Sequence, residues 1–180
     1  MKPAGKMKLI LEKAKRLKLL ILDVDGVLTD GKLFFDNEGI EYKSFHSRDG
    51  HGIKLLRQTG VEVAVISGRK SNSVALRMKN LGIELVYQGH EDKIAAFSEI
   101  IEKTGIAPEY AAHVGDDLMD LPIMIRAGLA IAVSDANFAV KQRADWCTVL
   151  PGGHGAVREV CDFIMQAQGN FDEIINAYLK

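Results

Sequence analysis

An α/β fold built on one doubly wound parallel sheet is predicted for this 180-residue chain by three observations. Short apolar runs of strand length alternate with segments of helical spacing, and glycines close most of those segments. Acidic residues recur directly after the apolar runs, at the strand ends where sheets of this class gather their ligands. The length suits a single domain spanning 1–180, with an adequate core and a Rossmann-like arrangement.

From Lys2 to Lys18 the chain is basic. Met7, Ile10, Leu11, Ala14 and Leu17 keep helical spacing there, which predicts a short amphipathic helix or frayed leader with solvated lysines. Residues 18–24 read as a buried strand around Leu19-Leu20-Ile21-Leu22. Two short strands, 33–36 and 40–45, flank the turn sequence Asn37-Glu38-Gly39 and predict a β-hairpin insertion over about 31–45. Ile53, Leu55 and Leu56 place a helix at 49–59, closed by Gly60, and Val61 to Ile66 is the next strand. A helix at 71–81 stops at Gly82, and 83–87 returns as a strand. Residues 92–104 are helical up to Gly105, 110–114 form a strand, and 118–127 form a helix ended by Gly128. Apolar runs at 129–133 and 146–150 complete the sheet, and helices at 155–167 and 171–178 follow.

Charge is nearly balanced, with 23 Lys plus Arg against 24 Asp plus Glu, so no global field favours nucleic acid or an anionic membrane. No apolar run approaches the length of a membrane span, and Lys18, Asp23 and Asp25 interrupt every candidate core of a secretory leader. Cys147 and Cys161 lack a metal-type pairing and fit free, buried thiols in a reducing cytoplasm.

Asp23-Val24-Asp25-Gly26 follows the first strand directly, so two carboxylates project from its carboxyl end. Two aspartates one residue apart at such a place imply a metal ion or a reaction. Ser67-Gly68-Arg69 follows the strand at 61–66, where a hydroxyl, backbone N–H groups and a guanidinium can hold a phosphate. Lys93 opens a helix, where a cation opposes the helix dipole, which points to a functional reason for its place. Gly115-Asp116-Asp117-Leu118-Met119-Asp120 repeats the pattern after the strand at 110–114, and its hard oxygen donors suit Mg²⁺. His46 and His51 lack the spacing of a zinc site, and His46, Arg48 and Asp49 are expected to line the entrance or a subunit contact. His90 and His113 are expected to be structural.

The order Asp23-Val24-Asp25-Gly26, Ser67, Lys93, Gly115-Asp116-Asp117 resembles the four signature motifs of the haloacid dehalogenase superfamily of phosphatases. That resemblance implies Asp23 as nucleophile forming an aspartyl-phosphate, and Asp25 as the acid and base serving the leaving group and the water. It implies Mg²⁺ held by Asp23, the Asp25 carbonyl and Asp116, with Ser67 and Lys93 on the phosphoryl oxygens and Asp117 orienting Lys93 or the metal's waters. Asp120 receives no firm part. Only about forty residues separate Asp25 from Ser67 and about twenty-five separate Ser67 from Lys93, so neither gap holds a cap domain.

The stretches at 23–31, 44–50, 66–69 and Gly152-Gly153-His154-Gly155-Ala156-Val157-Arg158-Glu159 are similar to the capless, tetrameric sugar-acid phosphatases of that superfamily. The resemblance implies an eight-carbon sugar acid phosphate of lipopolysaccharide biosynthesis as substrate, with a nine-carbon sugar acid as the alternative. It further implies a C-terminal flap and helix over about 151–180, with His154 moving with the flap. Arg69 and Arg77 are suited to the substrate's carboxylate or hydroxyls, beside Ser67, Gly68 and Lys93. A lone hairpin is marginal in water, which adds to the expectation of a homotetramer. A non-catalytic module related to nucleotidyl-sugar transferases is the other alternative, against which the intact Asp23 and Asp25 argue.

Overall fold

Residues 3–180 are described by a computed structural model of the chain. Met1 and Lys2 lie outside the described residues, so the start of the predicted basic run falls beyond them. The helix expected there is α1, Pro3–Lys15. Not all its lysines are solvated: Lys13 Nζ lies 2.8 Å from Asp145 Oδ2, which also accepts from Ala130 N at 3.0 Å.

The apolar run after α1 becomes β1, Leu19–Leu22, buried along its whole length as a central parallel strand requires. The other sheet strands are β4 (Glu62–Ser67), β5 (Leu85–Gln88), β6 (Ala111–Gly115), β7 (Leu129–Ala132) and β8 (Trp146–Cys147). They form one six-stranded parallel sheet in the order β5-β4-β1-β6-β7-β8. Leu22 pairs with Val65 on one side and Val114 on the other, which brings the carboxyl ends of the three central strands level. Strand order reverses at β1, and the crevice at such a switch point is where open α/β sheets bind ligands.

Alternation along β1 divides its side chains between two cores. Leu20 and Leu22 join Ile53 and Leu56 of α2 (Ser47–Gln58), Val74 and Met78 of α3 (Asn72–Leu81), and Val157, Val160 and Ile164 of α7 (Ala156–Gln168). Leu19 and Ile21 face Ala96, Phe97 and Ile100 of α4 (Lys93–Thr104) on the opposite side.

Between β1 and α2 lies the expected hairpin, in which β2 (Phe34–Phe35) pairs antiparallel with β3 (Glu41–Tyr42). Its strands are shorter than the sequence suggests, because Asp36 Oδ1 accepts from Glu38 N at 2.9 Å and Ile40 N at 2.8 Å and draws 36–40 into the turn. Leu33, Phe34, Phe35, Ile40 and Tyr42 are all exposed.

Three further differences have local causes. The helix expected over 118–127 is a 3₁₀ turn, Leu118–Asp120, followed by the short α5, Leu121–Met124, since Pro122 without an N–H starts a helix more readily than it continues one. An additional short helix, α6 (Phe138–Lys141), is capped by Asn137, which accepts from Ala139 N at 2.9 Å. The run at 146–150 leaves the sheet after Cys147 because Val149 N and Leu150 N donate to the Glu159 carboxylate instead. The segment expected as a flap over 151–180 divides in two. Ala156, Val157, Val160, Cys161, Ile164 and Met165 of α7 are buried in the main core, whereas α8 (Phe171–Tyr178) has no buried residue. No helix among the described residues is long and apolar enough to cross a membrane.

Candidate active site

The ladder of the sheet carries Asp23 into the crevice: its N–H donates to Val114 O of β6 at 3.1 Å. The side chain is nearly buried, and Oδ1 lies 2.9 Å from Lys93 Nζ. Lys93 opens α4 behind Asp92, which caps the helix by accepting from Ile94 N at 3.0 Å. Burial and the helix dipole both oppose a charged ammonium at that position. Two carboxylates outweigh them, Asp23 and Asp120, the latter with Oδ1 at 2.7 Å, and the Lys93 pKa is raised despite the burial that works to lower it.

Asp120, given no firm part by the sequence, is the anchor of the cluster. It is fully buried, with Oδ1 2.9 Å from His113 Nε2 and Oδ2 accepting from Asp116 N at 2.9 Å and Asp117 N at 3.2 Å. Burial pushes its pKa up, but His113 and Lys93 more than reverse this and hold the carboxyl well below the usual range. His113 is buried beneath it.

Asp116, released from β6 on the other side of the crevice, has Oδ1 buried without a partner. One ligand oxygen from each of Asp23, Asp116 and Asp120 lies within 4.8 Å of the others. Burial together with Asp23 and Asp120 pushes the Asp116 carboxyl up to about 8, and burial with Asp120 pushes Asp23 up to about 6 against the opposing pull of Lys93. Packed carboxylates of this kind call for a cation, and an all-oxygen donor set with one orphaned oxygen fits Mg²⁺. Asp120 is already engaged by four partners, so Asp23 and Asp116 are the side chains left to hold the metal. Gly26 permits their approach: its φ is +89° and a Cβ there would stand 2.1 Å from Asp116 Oδ2.

The Asp25 side chain turns away from this cluster. Its Oδ1 contacts Lys43 Nζ and its Oδ2 lies 3.9 Å from Arg69 Nε, so only its main-chain carbonyl is left for the expected metal contact. Ser67 is buried at the end of β4, where its Oγ accepts from Arg69 N at 3.2 Å and its carbonyl accepts from His90 N at 3.1 Å. Gly68 lies under Met119, whose Cε would be 3.2 Å from a Cβ at that position. Arg69 is half-exposed at the entrance and donates from Nη2 to Glu41 Oε2 at 2.8 Å.

Two expected members stand elsewhere. Asp117 is exposed and accepts from Leu118 N at 2.8 Å, so Lys93 is oriented by Asp120 and not by Asp117. Arg77 lies over the Phe45 ring, 5.9 Å from its centroid, in a 570 Å³ groove with Ser47, His51 and Lys54. His51 also meets Tyr178 Oη at 2.9 Å, and His154 meets Gly152 O at 2.8 Å. Sequence reasoning missed Lys43 and Glu41, although the strand expected over 40–45 would point residues 41 and 43 to the same face, a signal that alternation provides. It also missed the seat of 152–153: Gly153 N donates to Val27 O at 2.9 Å, and a Cβ on Gly152 would meet Gly26 O at 1.7 Å.

Residues 83–158 match the family of haloacid dehalogenase-like hydrolases. Over 164 residues the chain is 51% identical to KdsC of Escherichia coli K12, a 3-deoxy-D-manno-octulosonate 8-phosphate phosphatase, covering 91% of this chain and 87% of that protein. The crystal structure of the Moraxella catarrhalis phosphatase of the same name, in complex with a magnesium ion, a phosphate ion and a KDO molecule, superposes with a TM-score of 0.93 at 42% identity, covering 96% of this chain and 99% of that one. The cobalt-bound Haemophilus influenzae phosphatase superposes with a TM-score of 0.89 at 42% identity, over 93% and 99% of the two chains.

Proposed function

The chain belongs to the haloacid dehalogenase-like hydrolases, among the 3-deoxy-D-manno-octulosonate 8-phosphate phosphatases, and on that premise we propose how its residues divide the chemistry. The reaction is the Mg²⁺-dependent hydrolysis of that sugar-acid phosphate to 3-deoxy-D-manno-octulosonate and inorganic phosphate, a step of lipopolysaccharide biosynthesis. The observation that carries the assignment of roles is the pairing of Asp23 with Lys93 at the strand switch, beside the orphaned Asp116 oxygen.

An Asp23 oxygen attacks phosphorus, the ester O–P bond breaks, and the electron pair leaves with the sugar oxygen, which takes a proton from Asp25. Asp25 then removes a proton from water as that water attacks the aspartyl-phosphate, which frees phosphate and restores Asp23. Mg²⁺, held by Asp23, Asp116 and the Asp25 carbonyl, would supply the positive charge that lets two anions meet. Lys93 adds a second positive charge beside Asp23, fixed in place by Asp120. Ser67 and the Gly68 backbone take phosphoryl oxygens, and Arg69 at the entrance offers a guanidinium fork for the sugar's carboxylate. The chain acts as one domain carrying a hairpin insertion and a C-terminal flap and helix. It works in the cytoplasm as a homotetramer, for which the exposed apolar hairpin is the supporting feature.

Phosphate release from the sugar ester is expected to require Mg²⁺, to vanish on chelation, and to need far more Mg²⁺ in Asp116→Ala. Full activity restored by zinc and not by magnesium would overturn the assignment of the metal.

A further inference from the structure

Lys43 has no part in the mechanism above, yet it is the second buried lysine that meets a catalytic carboxylate. Its side chain is 1% exposed, and its ammonium contacts Asp25 Oδ1 and lies 2.5 Å from Glu41 Oε1. Glu41 Oε2 in turn accepts from Arg69 Nη2 at 2.8 Å, and Arg69 Nε lies 3.9 Å from Asp25 Oδ2. Two anions and two cations thus alternate around a closed ring: Asp25, Lys43, Glu41, Arg69. The ring joins three segments that are separate in the chain, namely the loop after β1, strand β3 of the hairpin with the residue that follows it, and the loop after Ser67. Burial works to raise the pKa of Glu41, but Lys43 and Arg69 hold it below its ordinary value, so both cations keep a firm second anion.

The placement has a chemical consequence. Asp23 has its own ammonium in Lys93, and Asp25 has Lys43. Without Lys43, the Asp25 carboxyl would have only the more distant Arg69 to hold it, and it could swing on its single-bonded stem away from the ester oxygen. Orientation of a reacting group to within a fraction of an ångström governs its effectiveness.

We propose that Lys43 is a positioning residue for Asp25: the hairpin reaches back into the crevice and aims the carboxyl that serves the leaving group. The proposal rests on the phosphatase reading, and its test separates the two. A sugar alkoxide needs a proton as it leaves, whereas p-nitrophenolate departs without one, so a misdirected Asp25 penalises the first substrate selectively.

The experiment compares kcat/KM, which reports phosphoryl transfer to Asp23 and not the later hydrolysis shared by all substrates, on 3-deoxy-D-manno-octulosonate 8-phosphate and on p-nitrophenyl phosphate, with Mg²⁺, for the wild type, Lys43→Met and Lys43→Arg. Size-exclusion chromatography runs alongside. The ratio of the two kcat/KM values is expected to fall by about tenfold or more in Lys43→Met, part of the 10²–10⁴ that a proton-transfer group supplies. Lys43→Arg, which keeps a donor to both carboxylates, should recover most of that ratio. An unchanged ratio in Lys43→Met, whether both rates persist or fall together, would overturn the proposal and leave Lys43 a support of the hairpin. A wild type that cleaves p-nitrophenyl phosphate but not the sugar ester would sink the substrate assignment instead, and the same ratio read on glycerol 3-phosphate would still decide on Lys43. A wild type that cleaves neither ester would remove both.

Discussion

Asp23→Asn keeps the shape of the side chain and removes the charge that attacks phosphorus, so turnover is expected to fall by on the order of 10⁴ or more. The same change relieves repulsion in the packed carboxylates, and thermal unfolding of the metal-free variant should show a stability equal to or above wild type. Activity near wild type would contradict a covalent route through Asp23. Asp49 offers a test that is independent of catalysis. It is 1% exposed in the first turn of α2, its Oδ1 accepts from Arg158 N of α7 at 2.8 Å, and its Oδ2 has no partner. Burial raises its pKa against the lowering pull of the Arg158 and Gly155 N–H groups and of His46 and His154. A raised folded value means that the fold favours the protonated carboxyl. Its contribution is therefore full below the unfolded carboxylate range, near pH ~4, and is lost as pH rises through the folded value. Asp49→Asn should flatten that part of the stability profile in urea unfolding, while Asp49→Ala should cost about 1–3 kcal/mol by leaving the α7 N–H groups without their acceptor. The motif aspartates were legible because each is attached in sequence to a strand end. The Lys43–Asp25 and Lys93–Asp120 contacts, which join residues 18 and 27 positions apart, were not, because they depend on how separate segments converge.

The strands and longer helices followed from apolar spacing and from glycine stops, because those signals are local. The short elements escaped where a single side chain decides: Pro122 splits 118–127, Asn137 starts α6, and Glu159 takes the N–H groups that would have extended β8. The C-terminal third carries the sharpest lesson, since completion of the sheet at residue 147 does not complete the core. Six buried residues of α7 close it against α1 and α2, and Gly152 and Gly153 buttress the loop after Asp23. Deleting 152–180 is therefore expected to abolish cooperative unfolding, whereas deleting 170–180 removes only α8 and should leave a folded sheet by circular dichroism. A cooperative transition in the longer deletion would show that α7 is dispensable.

At the scale of the molecule, strand order is what turns four motifs into one site, because the reversal at β1 sets Asp23 beside Asp116. No local pattern states that order; the alternation of strands and helices fixed only the class of sheet. The exposed apolar hairpin is the proposed place of contact between copies. Phe34 and Phe35 are 49% and 56% exposed, so replacing both by serine should dissociate the assembly in sedimentation experiments without loss of folded structure. An unaltered assembly would place the interface elsewhere. The central claim concerns the reaction, and one assay meets it directly: phosphate release by the wild type and by Asp23→Asn from 3-deoxy-D-manno-octulosonate 8-phosphate and a nine-carbon sugar-acid 9-phosphate, with Mg²⁺ and with chelator. The expected result is Mg²⁺-dependent release by the wild type, with kcat/KM favouring the eight-carbon ester, and none by Asp23→Asn. Preference for the nine-carbon ester, or release that survives the loss of Asp23, would contradict the account.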